Sequence, residues 1–397
     1  MKKEMRTGVL AGNHNAPRSG RDVRFSTLLR RRGCTRSVRR IARTVTPRGT
    51  DWSLALLVAL GLGTGLATWF AGSPHSAWVF AAHAAGGAAL ALVLVWKLRR
   101  VWPRIAARSR WDGRTGFGLA ALGLVLAVLG TGGAWSNGLD GGFGGMSLLG
   151  WHVLVGAFLG GLVLVHALGR ARPLRRSDAA DRRQFVAAAF VGAAAVGAWA
   201  LQRPVQRALG LPGTGRRFTG SYDAGSFTGN DFPVTSWVAD APRPLSARAY
   251  RLAVGGEVGR PLSLPTDALD RGDEIVATLD CTGGFASTQR WRGVRIGRLL
   301  DDARLAPAGA HVRVVSVTGY RWSFALADAR DLVLATHVGG EPLTHGHGAP
   351  CRLVVPGHRG FQWVKWVTRV EVTADADLGA AASTVWSSLT AEGRGAR

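Results

Sequence analysis

Five long apolar runs fill the first half of the chain, near residues 52–71, 77–97, 115–135, 149–168 and 185–201. Each is rich in Leu, Ala, Val and Gly, and each approaches the ~20 apolar residues that carry a helix across a bilayer core. The last is the least hydrophobic, being mostly Ala. Gly72 and Pro74 break the first run from the second. A water-soluble helical domain has no way to bury so much apolar surface in so short a stretch. The pattern therefore predicts a five-helix transmembrane bundle over 51–203.

From about residue 215 the periodicity changes. Short β-like runs replace the long apolar ones, at Tyr250–Val258, Glu274–Asp280, His311–Val317, Leu332–His337, Arg352–Val355 and Trp366–Thr373. Gly, Pro and Asp clusters punctuate them. One helical stretch, about Ile296–Arg304, lies among them. The expected organisation is a multidomain membrane protein. A disordered basic cytoplasmic tail (1–50) precedes the bundle, a linker (204–217) follows it, and a mixed α+β, mostly β domain (218–375) leads to a flexible tail (376–397).

Charge then orients the bundle. The net charge is +25, which taken alone suggests nucleic acid. Its placement points elsewhere. Residues 1–50 hold fourteen Lys or Arg against Glu4 and Asp22, and basic clusters at 97–110 and 169–183 sit between apolar runs. The alternate connections, 72–76 and 136–148, contain neither Lys nor Arg. Lys and Arg stay on the cytoplasmic side of a membrane, so the tail and both basic loops are expected inside and the domain after residue 202 outside. No nucleic-acid-binding motif accompanies the charge, and a nucleic-acid partner is not expected. The stretch Asp181-Arg182-Arg183-Gln184-Phe185-Val186, before a mild Ala-rich run, resembles an internal twin-arginine export signal; ordinary positive-inside charge is the plainer reading.

Three cysteines, Cys34, Cys281 and Cys351, are too few for a disulfide framework or a four-cysteine iron–sulfur cluster. No Cys-x-x-Cys-His attaches a c-type haem. Histidines within the spans stand out instead, because ionisable side chains are costly there. His83 lies in the second span; His152 and His166 lie in the fourth. Fourteen residues at ~100° per residue return to nearly the same helix face, about 21 Å along it. This spacing resembles that of di-haem b-type membrane cytochromes. It implies haem b, with His83 and His152 near the outer face as axial ligands. Lys97 stands where an inner partner for His166 belongs, so the two-haem pattern is incomplete. The alternative is that these histidines hydrogen-bond across helices as packing groups.

Three segments of the soluble region carry candidate chemistry. They are Phe227-Thr-Gly-Asn-Asp-Phe-Pro-Val-Thr235; Ala277-Thr-Leu-Asp-Cys-Thr-Gly-Gly284, continuing to Gln289-Arg-Trp-Arg-Gly-Val294; and Gly340-Glu-Pro-Leu-Thr-His-Gly-His-Gly-Ala-Pro350, continuing through Arg352 to Trp366. In order and content they resemble the sulfite oxidase family of molybdopterin enzymes over roughly residues 218–373. The resemblance implies a molybdenum–molybdopterin cofactor, with Cys281 as the molybdenum ligand. Thr282-Gly283-Gly284 would let the backbone turn tightly around it, and a thiolate is the species that binds metal. The resemblance also implies pterin contacts from Asn230, Asp231, Thr282 and His347, and a phosphate cradle at Gln362-Trp363-Val364-Lys365. Asp231 stands where sulfite oxidases have His, and Gln362 where they have Arg. Tyr320 is a candidate acid near the metal, or an ordinary strand aromatic.

Only about 24 residues follow Thr373, so the immunoglobulin-like dimerisation domain of sulfite oxidases is expected to be missing. That is shared with the periplasmic methionine-sulfoxide-reductase subfamily. The expected activity is oxygen-atom transfer at molybdenum coupled to membrane electron transfer, with sulfoxide or N-oxide reduction favoured. Membrane lipid, quinol and a small-molecule or protein-bound oxo substrate are the expected partners. One alternative is sulfite-type oxidation with electrons passing to quinone, which needs Arg290 and Arg292 aimed at the metal. Another is a non-catalytic membrane-tethered binding or sensory module.

Overall fold

The computed structural model describes residues 46–170, 182–236 and 240–387. The expected basic tail up to residue 45, most of the basic segment 169–183 including Asp181, and residues 388–397 lie outside them. Among the described residues, five helices are long and apolar enough to cross a membrane. They are α1 (Pro47–Ala67), α2 (Ala77–Ala106), α3 (Gly113–Ser136), α4 (Leu148–Arg170) and α5 (Arg182–Ala208).

Local chemistry sets their starts. Thr46 caps α1, its hydroxyl accepting from the Gly49 amide, with Pro47 in the first turn. Asp112 and Thr115 form a reciprocal capping box at α3. Helix α5 runs past residue 203, where the sequence pattern placed a linker. Pro204 sits in its last turn and α5 ends at Ala208, so the first residues of the expected linker are helical.

Helices α1 to α4 close a bundle in which α2 and α4 lie diagonally opposite, and α5 packs on the outside of α2. Val58, Leu90, Leu94, Val125 and Leu159 fill the bundle interior. Phe158, Phe185, Phe190 and Leu201 face outward and are exposed. An apolar exterior around an apolar interior is the surface a bilayer solvates. At one end Lys97 pairs with Asp51 at 2.9 Å.

Between α3 and α4 the Gly-rich loop forms a small hairpin, β1 (Gly142–Phe143) with β2 (Met146–Ser147). The second half of the chain builds two sheets, and the strands expected from the sequence all appear within a few residues of their limits. The first sheet contains β3 (Tyr222–Asp223), β6 (Asp273–Asp280), β7 (Phe285–Arg295), β10 (Val333–Val338), β11 (Glu341–Pro342) and β12 (Arg352–Val354). The second has the order β5-β4-β13-β8-β9, with β4 (Leu252–Gly256), β5 (Leu262–Leu264), β8 (His311–Ser316), β9 (Arg321–Ala325) and β13 (Val367–Thr373). Helix α6 (Ile296–Asp302) follows β7 directly and buries Leu299 and Leu300. A single core joins both sheets through Leu252, Trp291, Val294, Leu334, Leu353 and Val370.

The central strand β7 escaped the hydrophobic pattern. Its Ser287 and Gln289 are fully buried, donating to the Gly225 carbonyl at 3.1 and 2.5 Å, while Arg290 and Arg292 point outward to carboxylates. A strand with polar residues on both faces shows no apolar alternation. The segment read as a flexible tail likewise contains α7 (Ala380–Ser387), tied to β9 by the Ser383 hydroxyl and the Arg321 backbone.

The two halves touch extensively. Phe70, just past α1, stacks edge-to-face on Phe361 at 5.4 Å and on Trp322 at 6.3 Å. Arg216 lies 4.0 Å over the Trp135 ring at the end of α3 and pairs with Asp140. Gly72 meets the 357–359 backbone, where a Cβ would sit 2.6 Å from the Gly357 carbonyl oxygen. Gly72→Val therefore forces the halves apart. The expected cost is about 1–3 kcal/mol, as for overpacking a tight contact, read as a lower thermal midpoint of the detergent-purified protein. An unchanged midpoint would mean that this contact is not held in solution.

Candidate active site

Strand β6 ends at Asp280 and hands the chain to Cys281 at the floor of a cavity of about 340 Å³. The turn is tight: the Cys281 amide donates to the Phe285 carbonyl at 2.8 Å and the Gly284 amide to the Cys281 carbonyl at 3.0 Å. Gly284 has φ +102°, and a Cβ there would meet the Trp135 ring at 2.4 Å, so only glycine fits. The Cys281 Sγ accepts the Gly283 amide at 3.2 Å and lies 3.5 Å from the Thr235 hydroxyl.

Behind Cys281, the Asp280 carboxylate is almost fully buried. It accepts from Arg359 at 2.7 Å, Ser221 at 2.7 Å, Thr219 at 2.8 Å and Arg217 at 3.3 Å. Arg359 also donates to the Cys281 carbonyl at 3.2 Å.

The opposite wall is cationic. Arg352 is 1% exposed, donates to the His347 carbonyl at 3.0 Å and lies over the rings of Trp291 and Trp363. Burial pulls its guanidinium down to about 9, opposed by the Cys281 thiol. Lys365 donates its Nζ to the Thr235 and Gly346 carbonyls at 2.6 and 2.5 Å. Burial first, then the neighbouring Arg352, lowers its ammonium to about 7. Among the described residues neither cation is ion-paired with a carboxylate. His347 is buried; its Nε2 lies 3.1 Å from the Phe232 carbonyl and its Nδ1 2.8 Å from the Thr344 hydroxyl. Burial, followed by Arg352, lowers its pKa to about 4, so it is neutral at neutral pH.

Of the residues singled out from sequence, Cys281, Thr282, Tyr320, His347, Trp363 and Lys365 line this one cavity. Gln362 is buried beside Trp363, with its Oε1 unpartnered. Tyr320 donates its hydroxyl to the Phe361 carbonyl and accepts from Trp322 Nε1 at 3.2 Å, while burial pushes its pKa up. Asn230 and Asp231 do not line the cavity. Asn230 ties two loops together, accepting from the Thr344 amide and donating to the Pro342 carbonyl, while Asp231 is exposed. Arg292 is held by both oxygens of Asp270 at 2.8 Å, and Arg290 faces solvent beside Glu274; both point away from the cavity.

Other lining residues had no individual role assigned from sequence, among them Phe232, Thr235, Asp240 and Arg352. Arg352 did leave a signal, because a lone charge in the apolar run Cys351-Arg-Leu-Val-Val355 is costly unless it serves a buried anion.

In the bundle, His83 of α2 and His152 of α4 face each other, ring centroids 5.9 Å apart and planes at 83°. Each ring is held through Nδ1, His83 by the Thr64 hydroxyl at 3.0 Å and His152 by the Val128 carbonyl at 3.1 Å. Gly132 permits the approach, since a Cβ there would lie 2.8 Å from His152. His166 is exposed and stacks on Phe117 at 5.2 Å, away from this pair.

Residues 239–380 match the family described as oxidoreductase molybdopterin binding domain. The chain is 34% identical over 183 residues to mitochondrial sulfite oxidase of Mus musculus, covering 38% of this chain and 32% of that one. It is 32% identical over 162 residues to nitrate reductase [NAD(P)H] of Hordeum vulgare, covering 32% and 18%. A solved structure, the sulfane dehydrogenase SoxCD from Paracoccus pantotrophus, aligns at 30% identity with a TM-score of 0.33, over 34% of this chain and 41% of that one. The chain thus spans about a third of the length of the sulfite oxidase it matches. The second half of the chain carries a molybdopterin oxidoreductase domain of the sulfite oxidase and nitrate reductase type, which implies a molybdenum cofactor.

His347 makes the cofactor-free protein acid-sensitive. Its folded pKa of about 4 lies below the ordinary 6.5, so as pH falls the unfolded chain takes up the proton first. Stability is fully present above about 6.5 and is lost progressively toward 4. Thermal midpoints measured across that window on protein made without the cofactor should show a steeper acid loss in wild type than in His347→Gln. Parallel curves would mean that His347 already titrates normally.

Proposed function

We propose that this chain is a membrane-bound molybdenum-cofactor oxidoreductase that reduces an uncharged oxo compound, a sulfoxide or an N-oxide. Its electrons enter through its own helical bundle. One observation carries the reading: two cations without carboxylate partners among the described residues, the buried Arg352 and the half-buried Lys365, share a cavity with a cysteine whose sulfur accepts a backbone N–H.

The residues present suit the cofactor. A buried guanidinium with no counter-charge is unfavourable unless an anion joins it, and Arg352 Nε and Trp363 Nε1 are both buried and unpartnered. A pterin phosphate would satisfy Arg352 and Lys365 together, drawing the Lys365 ammonium back toward its charged form. Cys281 would ligate the metal, the Gly283 amide and Thr235 hydroxyl steadying its sulfur. Thr282, Trp363 and Gln362 would contact the pterin. His347, held neutral and bonded on both nitrogens, would position the loop from Thr344 to Gly348 against it. Asn230 supports that loop from outside, and Asp231 has no contact that assigns it a role. When bound, the cofactor supplies two-electron oxygen-atom transfer.

The protein's part in the reaction is then orientation and exclusion of water. Phe232, Phe361 and Trp366 wall the cavity. Tyr320, whose proton is committed to the Phe361 carbonyl, acts by fixing that wall. Similarity to sulfite oxidase favours a second reading, oxidation of an anion with electrons passing to quinone. The ion pairing of Arg292 and the outward Arg290 count against it. For the bundle, the facing His83 and His152 rings would hold one b-type haem, each ring oriented through its Nδ1 as metal-binding histidines generally are. His166 and Lys97 lie apart from the pair, which favours a single haem fed by quinol. The basic connections support a cytoplasmic N-terminus and a catalytic domain outside the cytoplasm.

Metal analysis and an optical spectrum of detergent-purified protein test this directly. Molybdenum near one per chain with a reducible b-type band is expected. Neither centre, in a host able to make both, would leave a non-catalytic tethered module instead. Cys281→Ser should abolish reduction of dimethyl sulfoxide or trimethylamine N-oxide with the haem band intact; full activity would remove Cys281 from the metal. His83→Ala should remove the haem band while molybdenum stays bound.

A further inference from the structure

The proposed function needs a route for electrons from the bundle to the cavity. The Trp135 ring meets the Cys281 turn at Gly284, and two further sets of contacts join the halves near the cavity. One is aromatic: Trp69 and Phe70 pack on Phe361 at 6.4 and 5.4 Å. It ends on the cavity wall, where the Phe361 carbonyl is bonded to Tyr320 and, among the described residues, no hydrogen bond continues to Cys281. The other starts on α2. Phe80 precedes His83 by three residues, so the two share a helix face about 4.5 Å apart along the axis. The Arg359 guanidinium carbon lies 5.9 Å from the centroid of the Phe80 ring. Arg359 is 4% exposed, is fixed by Asp280 at 2.7 Å, and donates to the Cys281 carbonyl at 3.2 Å. Gly72 clamps the same point, since a Cβ there would lie 2.8 Å from the Arg359 backbone nitrogen. Each step of this second route is a covalent segment, a packed cation–π contact or a hydrogen bond, and it ends on the backbone of the cysteine itself.

We infer that Phe80 and Arg359 are the electron bridge between the α2 histidine and the Cys281 loop. The inference rests on the reading of function above. A quinol gives up two electrons and two protons. A haem held by His83 and His152 would carry one electron at a time, so two transfers would supply the pair needed to reduce one sulfoxide or N-oxide. Two protons from solvent leave with the released oxygen as water. Phe80 and Arg359 are positioning residues: they shorten the gap and are neither oxidised nor reduced.

The test uses full-length, detergent-purified protein with its haem reduced anaerobically and then mixed with dimethyl sulfoxide, following the haem absorption. Phe80→Ala should slow haem reoxidation well below the wild-type rate. Haem spectrum, haem midpoint potential and reduction of dimethyl sulfoxide driven by a soluble viologen dye should stay at wild-type values. Phe80→Tyr, which keeps the ring, should restore the rate. Phe80→Leu gives the same reading if Ala perturbs the helix end. Phe70→Ala removes an equal ring from the other contact and should leave the rate unchanged. Wild-type reoxidation in Phe80→Ala overturns the bridge, and so does equal slowing in Phe70→Ala, which would assign the effect to loosened docking. A wild-type protein without haem, or a reduced haem that dimethyl sulfoxide leaves reduced, overturns the functional reading on which the bridge rests.

Discussion

The architecture around the cavity depends on one buried carboxylate. Asp280 gathers donors from two separate pieces of chain: Arg217, Thr219 and Ser221 from the strap leaving the bundle, and Arg359 from the loop before Phe361. It is covalently next to Cys281. A carboxylate removed from water is tolerated only where charge and hydrogen bonds replace its hydration, and here four donors do so. The same ion therefore sets the position of the cysteine, anchors the chain that arrives from the membrane, and holds Arg359 against α2. Loss of either member of the Asp280–Arg359 pair leaves a buried charge uncompensated, a cost of about 3–5 kcal/mol in comparable cases.

The cationic wall obeys the opposite rule. Asp280 is satisfied within the protein, whereas Arg352 and Lys365 are held by carbonyls and rings alone. Their depressed pKa values express that deficit, which an anionic occupant would remove. Satisfied charge beneath the cysteine and unsatisfied charge across the cavity divide the site into a part that the fold completes and a part that a ligand completes.

How much of this was legible in the sequence follows from which features are local. The five apolar spans are local, and helices appear at every one. The strands with apolar alternation are local too, from Tyr250 to Thr373. Cys281, His347, Trp363 and Lys365 line one cavity, because short motifs bring them to loop ends that meet over one core. What escaped is non-local. Gln289 and Ser287 in β7 look polar until the Gly225 carbonyl arrives from a distant loop. Asp240 and Thr235 acquire meaning only once they are seen to line the cavity. The side chain of Asn230 joins two loops, through the Thr344 amide and the Pro342 carbonyl, a partnership that sequence spacing does not encode.

The contact between bundle and catalytic domain has a character that bears on how the two parts work as one chain. It consists of edge-to-face aromatic pairs, cation–π contacts from Arg216 and Arg359, and the close backbone approaches at Gly72 and Gly284. The ion pair between Arg216 and Asp140 has its cation buried. Exposed charge pairs would weaken with salt over a Debye length of about 8–10 Å, whereas packed rings and a buried cation are screened far less. A separate membrane partner would have to find this face by diffusion and leave it again. A covalently joined one meets it at a high effective concentration, so a modest interface suffices to hold it. That removes the usual reason for a docking surface to rely on long-range charge. It explains why a chain with a net charge of +25 joins its two halves through aromatic rings and glycines.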